Sequence, residues 1–508
     1  MAERLAMGID IGTTATKTIL VNEAGDVRAD ASAEYPLSMP KPSWYEQDPA
    51  DWWEAVNSTV RQAMAKVGAN SSICAISYSG QMHGLVALDE MRRVVRPCII
   101  WADQRNARQC EEIYERTGGV GGLLSYTNNR MLTGFTGGKI LWMKETEPEN
   151  YGRTRIILNP KDYVRFRMAG DFATEVSDAS GTGLLDVRKR RWSKELMELL
   201  GIDPSLLPKC YESGEIHGKL TVEAANDLGL PAGIPIVGGG GDAIIAMTGA
   251  GIIHEGEFGA SLGTGGVIAT ALDSCYDNPG GLLQVSCHNI PGKWHVMGVT
   301  MGAGGAYRWA KETLGDLEAQ AARLIGESPY ELLNREAARV SPGANGLLFL
   351  PHLFGSRCPH DDSNSRGAYI GLTFQHQKGH LLRSVLEGVT YSFKEMAEVI
   401  AQMGVAPTQI RVSGGGARGK LWRQIIADVF DCEVIQVSGA EHGGAYGAAL
   451  VAGVAAGLWP SLEQAVHVLK VETRAVPVAE NVAVYKQLFP IFKGLYPALK
   501  ESMHALWI

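Results

Sequence analysis

The sequence predicts an α/β protein built of two similar halves. Strand-like runs alternate with helical patterns along the chain. Two strand–glycine–strand turns, DIGTT at 10–14 and SLGTG at 261–265, stand 251 residues apart. At 508 residues the chain is also longer than one core usually serves. The halves meet near residue 251, giving an N-terminal domain over 1–251 and a C-terminal domain over 252–508.

Residues 7–11 are apolar and 17–21 (KTILV) are rich in β-formers, so both read as strands around Gly12, Thr13 and Thr14. A second turn at 23–26 leads into a strand over 27–35, completing a meander. No helix follows Gly12, which excludes the dinucleotide fingerprint and the Walker loop. What remains is a hairpin tip whose N–H groups and hydroxyls can bind an anion. On that segment alone, an ordinary hairpin is an equal alternative.

Asp48-Pro49 marks a helix start, and Trp52, Val56, Val60 and Met64 then recur every fourth residue. A strand over 73–78 runs into SGQMHG (79–84), and another around 98–100 runs into WADQR (101–105). Ligands gather at such carboxyl ends of strands in α/β sheets. Residues 234–237 enter GGGGDA (238–243) and an apolar helix; 257–262 enter GTGG (263–266) and the strand 267–272. Residues 411–412 enter SGGGARGK (413–420), followed by a helix over 421–430. GGGARGK fits G-x-x-x-x-G-K, but Leu421 stands where a Walker loop needs Ser or Thr. It reads instead as a glycine turn that lets a flat ligand such as adenosine approach the backbone.

A net charge of −8 argues against a general nucleic-acid surface. No apolar run has the length of a membrane span, and the N-terminus lacks a signal-peptide core, so no membrane partner is expected. Eight scattered cysteines with no CxxC pair read as thiols of a reducing cytoplasm.

Asp242 follows four glycines at a strand end. Its carboxylate can accept the proton of a hydroxyl attacking a γ-phosphate, or simply cap a helix; locally the two readings are equal. Thr13, Thr14, Gly263 and Thr264 offer hydroxyls and N–H groups to phosphate oxygens. Asp10 has no counterpart in the second turn, where Ser261 stands. One acid suits a Mg²⁺ held on phosphates, which takes one or two carboxylates. Two such tips suit a grip on one polyphosphate.

Several stretches together resemble the FGGY carbohydrate kinases. GFTGGKILWMK (134–144) is similar to the family's first signature, with Thr146 departing from its last polar position, and GAYIGLTFQHQKGHLLRSVLE (367–387) is similar to the second. DIGTTATK and GASLGTGG resemble its phosphate motifs and SGGGAR its adenosine motif, over about residues 7 to 455. The resemblance implies two actin-like (ribonuclease H-like) domains around a central cleft, the first sugar-binding and the second nucleotide-binding. It implies ATP- and Mg²⁺-dependent phosphorylation of a ketose, D-xylulose foremost. Another pentulose or polyol is the alternative, or an actin- or chaperone-like ATPase; SGQMHG and the acid after the glycine run favour a sugar acceptor.

On this resemblance Asp242 is the catalytic base and Asp10 the catalytic, metal-side acid. Gln81, Met82, His83, Trp101 and Asp103, with Asp242, contact sugar. Gly12, Thr13, Thr14, Gly263, Thr264 and Gly265 hold phosphates, and Gly415, Gly416 and Ala417 take the adenosine; Lys17 either joins the phosphate group or is an exposed strand lysine, the two readings being equal. A homodimer is the family's common habit. Three positions depart from the usual pattern of the ketose branch: Ala243 in place of Asn, and Ser356 and Cys358 in place of Glu and Thr.

Overall fold

The computed structural model describes residues 3–68 and 70–506. Its central strand, Glu3–Ile11 (β1), is buried throughout residues 5–9 because both faces of the sheet are covered. Alternation sorts the side chains. Leu5, Met7, Ile9 and Ile11 pack with Trp52, Val56 and Val60 of the helix Pro49–Ala65. Ala6 faces the other way, onto the helix Gly444–Ala455. Gly8 shares that face, and a Cβ there would lie 2.0 Å from the Ala445 carbonyl oxygen. Only small residues admit so close a helix.

The helix Pro49–Ala65 begins where the sequence predicts, with the Asp48 carboxylate accepting from the Ala50 N–H at 2.9 Å. Such a cap contributes about 1 kcal/mol. Trp52, Val56 and Val60 are buried, and Met64 packs partly buried at the end of the stripe.

On one side β1 pairs antiparallel with β2 (Ala15–Val21), which pairs with β3 (Val27–Glu34). On the other it pairs parallel with β4 (Ser71–Gly80), which pairs parallel with β5 (Pro235–Val237). The same plan recurs around β6 (Glu257–Leu262). It pairs antiparallel with β7 (Gly266–Leu272), beyond which lies β8 (Trp294–Thr300). Its other neighbour is the parallel strand β9 (Gln409–Ser413), followed by parallel β10 (Glu433–Val437). The five strands named in each seven-stranded sheet thus run 3-2-1-4-5, the ribonuclease H-like arrangement, with further short strands beside them.

The division into units is not a single cut. One unit holds the chain through Ile253 together with Leu272–His295 and His442–Lys470; the other holds His254–Ala271, Val296–Glu441 and the chain from Val471. The expected domains 1–251 and 252–508 therefore differ from these units by two returning segments. The physical reason for one of them is the helix Gly444–Ala455, apolar on nearly every side, which must be buried and closes the Ala6 and Gly8 face of the first sheet. All eight cysteines are free thiols. Among the described residues no helix is long and apolar enough to cross a membrane.

Candidate active site

In the first unit, neighbouring strands end side by side. Asp10 stands opposite Ser79 of β4, and Ser79 in turn stands opposite Gly240. Two residues on, Asp242 opens the helix Asp242–Gly249. Sheet register therefore brings the two acids to one edge, although 231 residues separate them in sequence.

Ser79 Oγ donates to Asp10 Oδ1 at 2.6 Å. Burial raises the Asp10 pKa, against the Ser79 hydrogen bond and the Lys17 ammonium, Lys17 standing opposite it on β2. The first turn of the helix Gly444–Ala455 abuts the same carboxylate: a Cβ on Gly444 would lie 2.0 Å from Ser79 Oγ and 3.1 Å from Asp10 Oδ1. That glycine brings the positive end of a helix to the acid. For Asp242, burial and then the charge of Asp10 push the pKa up to about 7, against the Ala243 N–H, which donates to Oδ1 at 2.7 Å. A carboxylate so placed exchanges a proton near neutral pH, which is what a general base requires.

The glycine run before Asp242 is fixed from behind. The Gly241 N–H donates to Ser177 Oγ at 3.1 Å, and Asn289 Nδ2 donates to the Gly239 carbonyl at 3.3 Å and to Ser213 Oγ at 3.1 Å. Glu175 accepts from Ser177 Oγ, Ser213 Oγ and two backbone N–H groups, and lies 3.4 Å from the buried Lys161 ammonium. Lys161, Glu175, Ser177, Ser213 and Asn289 belong to no local motif, so the sequence reading did not find them.

The tip at Gly12–Thr14 has its carbonyls tied inward. Gln81 Nε2 donates to the Gly12 carbonyl at 3.2 Å and to Gln47 Oε1 at 2.7 Å, and Gln47 Nε2 donates to the Thr13 carbonyl at 2.7 Å. Tyr35 holds the tip twice more, by its hydroxyl to the Gly12 carbonyl and by its N–H to the Thr14 carbonyl. Trp101, 41% exposed, donates from Nε1 to Thr13 Oγ1 at 2.9 Å. Its ring thus lies at the surface, tied to the tip.

Of the expected sugar contacts, Met82 is buried and packs beneath Gly241. His83 is partly buried, with φ of 72°. Two others make hydrogen bonds within the protein. Gln81 is fully buried and bonded to the tip at Gly12. Asp103 is fully buried, its carboxylate accepting from the Tyr45 N–H and from the backbone and guanidinium of Arg105. Arg105 also pairs with Glu46 and lies over the Trp44 ring, so WADQR is largely a structural knot.

In the second unit the tip at Gly263–Gly266 is held by N–H groups of Ala303, Gly304 and Gly305 on the Gly263 and Thr264 carbonyls. Gly263 and Thr264 border a cavity of about 470 Å³ that Gly415 and Gly416 also line. Tyr307, Tyr330 and Trp422 wall it, and Tyr307 donates its hydroxyl to Asn334 Oδ1 at 2.8 Å. Aromatic walls over a glycine turn suit a flat heterocycle. Gly265 is exposed beside the cavity, and Ala417 is buried behind the turn, outside the lining. The aromatic wall was not found in the sequence because it comes from three separate segments.

A pair of ribonuclease H-like units with glycine tips, one bearing two acids and the other an aromatic-walled cavity, defines a phosphotransferase of actin-like fold. The chain belongs to the FGGY family of carbohydrate kinases: the family's N-terminal domain matches residues 5–249 and its C-terminal domain residues 259–456. It is an ATP-dependent sugar kinase. Xylulose kinase of Bacillus subtilis (strain 168) is 39% identical over 99% of this chain and 99% of its own. The crystal structure of xylulose kinase from Rhodospirillum rubrum has a TM-score of 0.91 at 30% identity, covering 99% of this chain and 100% of that one. Gluconokinase of Bacillus subtilis (strain 168) is 32% identical over 98% of this chain and 96% of its own.

Proposed function

We propose that the protein transfers the γ-phosphoryl group of ATP to D-xylulose, giving D-xylulose 5-phosphate and ADP. The observation that carries the mechanism is Asp242, a half-buried carboxylate on a braced glycine run with its pKa near 7. It takes the proton of the attacking sugar hydroxyl as the oxygen–phosphorus bond forms. The tip of Gly12, Thr13 and Thr14 steadies phosphate oxygens with N–H groups and hydroxyls, and Lys17 adds a positive charge. The aromatic cavity of the second unit takes the adenosine, with Gly263 and Thr264 at its phosphate end. Met82 and His83 face the sugar, and Trp101 sets the edge between sugar and phosphate.

Mg²⁺ fits the donor set. Asp10 and Asp242 are hard oxygen donors, and burial disfavours negative charge on both. Among the described residues no group of three or more His, Cys, Asp or Glu side chains is placed to hold a metal, so a cation here takes its remaining ligands from phosphate and water. Asp10 would hold it, directly or through water, and it would neutralise charge developing on the transferred group.

Coupled ADP release across D-xylulose, other pentuloses, gluconate and glycerol tests the assignment. D-Xylulose should give the highest kcat/KM. A higher value for gluconate would move the reading to gluconate, and ADP release indifferent to every sugar would replace it with an ATPase.

A further inference from the structure

Lys139 lies in the 134–144 segment, and none of the roles above uses it. Its side chain is fully buried, and among the described residues it forms no ion pair. Its ammonium donates to the His83 carbonyl at 2.8 Å and to the Gly134 carbonyl at 2.6 Å. Burial pushes its pKa down to about 7, and a buried amine keeps its place where its N–H groups are used; an apolar side chain of equal length would fill the space without that cost.

What the ammonium ties together is specific. Gly134 runs close against the WADQR loop, where a Cβ on it would lie 2.9 Å from the Trp101 carbonyl oxygen. The next residue, Phe135, stacks on the His83 imidazole with ring centroids 4.6 Å apart and planes 20° from parallel. At the ring edge, His83 Nδ1 lies 2.5 Å from the Gly181 carbonyl oxygen. A carbonyl only accepts, so Nδ1 carries a proton. His83 also holds the left-handed backbone conformation, φ 72°, which is strained for a residue with a Cβ and persists where surroundings enforce it. Carbonyl and ring face are thus held by the 134–144 segment, and Nδ1 by the chain at Gly181.

We propose that Lys139 is a positioning residue for sugar recognition: by holding the His83 and Gly134 carbonyls together, it keeps His83 in the orientation that meets the sugar. This rests on the reading that the SGQMHG loop takes the sugar. Lys139→Met keeps length and removes the donors. The expected result is a sugar KM raised about tenfold, with the ATP KM within twofold of wild type. A second variant, Phe135→Leu, keeps the ammonium and removes the ring beneath His83; it should raise the sugar KM severalfold and again spare ATP.

A readout independent of turnover is ¹⁵N NMR of the His83 imidazole. Wild type should show one Nδ1–H tautomer, and both variants a mixture or a second conformer. A single unchanged His83 signal in Lys139→Met, or equal rises in both KM values, would overturn the positioning role. If wild type phosphorylates no sugar while the NMR change is seen, the sugar reading fails and the clamp on His83 stands. If Lys139→Met does not fold, Phe135→Leu decides: an unchanged signal and an unchanged sugar KM overturn the proposal.

Discussion

Replacing Gln81 by Leu separates a sugar contact from a scaffold for the phosphate tip. The substitution removes two donated hydrogen bonds, to the Gly12 carbonyl at 3.2 Å and to Gln47 Oε1 at 2.7 Å, from a fully buried side chain. Each acceptor retains another donor: Tyr35 on Gly12, and Trp52 Nε1 on Gln47 at 3.3 Å. The loss is therefore two net hydrogen bonds rather than two orphaned groups, about 1–3 kcal/mol in total. Part of that falls on the tip, whose Thr13 carbonyl is held by the same Gln47. A tip that wanders presents its N–H groups poorly, and about 1–2 kcal/mol of misplacement lowers kcat/KM for ATP roughly 5- to 30-fold. Steady-state kinetics with each substrate varied in turn resolves the effect. The sugar KM should stay within twofold while kcat/KM for ATP falls. A raised sugar KM with normal ATP kinetics would refute the scaffold role and return Gln81 to the sugar.

Other substitutions separate charge from geometry. Asp242→Asn should lower kcat by roughly 10²–10⁴-fold. It should also stabilise the protein at pH 8. The folded-state pKa of this carboxyl, about 7, lies above the ordinary 3.8, so wild type loses stability as pH rises between those values, and the Asn variant does not. Thermal melts should show a variant advantage of about 1–2 kcal/mol at pH 8, discounted for partial exposure, and none at pH 4; equal melting at both would contradict the burial argument. Asp10→Asn removes the charge that helps raise the Asp242 pKa. It should raise the Mg²⁺ concentration needed for half-maximal rate and move the acid limb of the pH profile downward; a titration showing neither would leave Asp10 without the role. Ala243→Asn places an amide beside the base and should sharpen preference for D-xylulose by about 1–2 kcal/mol in relative kcat/KM. An unchanged substrate ranking would show that residue 243 does not face the sugar.

Both tips were legible in the sequence because a strand–glycine–strand turn is written in adjacent residues. Strand β6 (Glu257–Leu262) falls on the bounds the pattern predicts, and the helix Lys420–Phe430 begins one residue early. What was not legible depends on pairing between distant segments. Gln81 and Asp103 carry polar groups at strand ends, the usual mark of a ligand contact. The folded chain gives Gln81 to Gln47 and Gly12, and Asp103 to Arg105 and Tyr45. Nothing local distinguishes a buried amide that braces a loop from one that meets a ligand. The helix Gly444–Ala455 shows the same limit. Its small residues record a partner face, but only the folded sheet reveals that Ala6 and Gly8 supply it.

Whether Asp242 takes the proton of the attacking hydroxyl is tested most directly by the pH dependence of kcat/KM for D-xylulose in wild type and in Asp242→Asn. Wild type should show an acid limb with its midpoint near 7, where the carboxylate protonates, and the residual activity of the Asn variant should lack that limb. An acid limb at the same midpoint in both proteins would show that another group accepts the proton, and would contradict the assignment of Asp242 as the base.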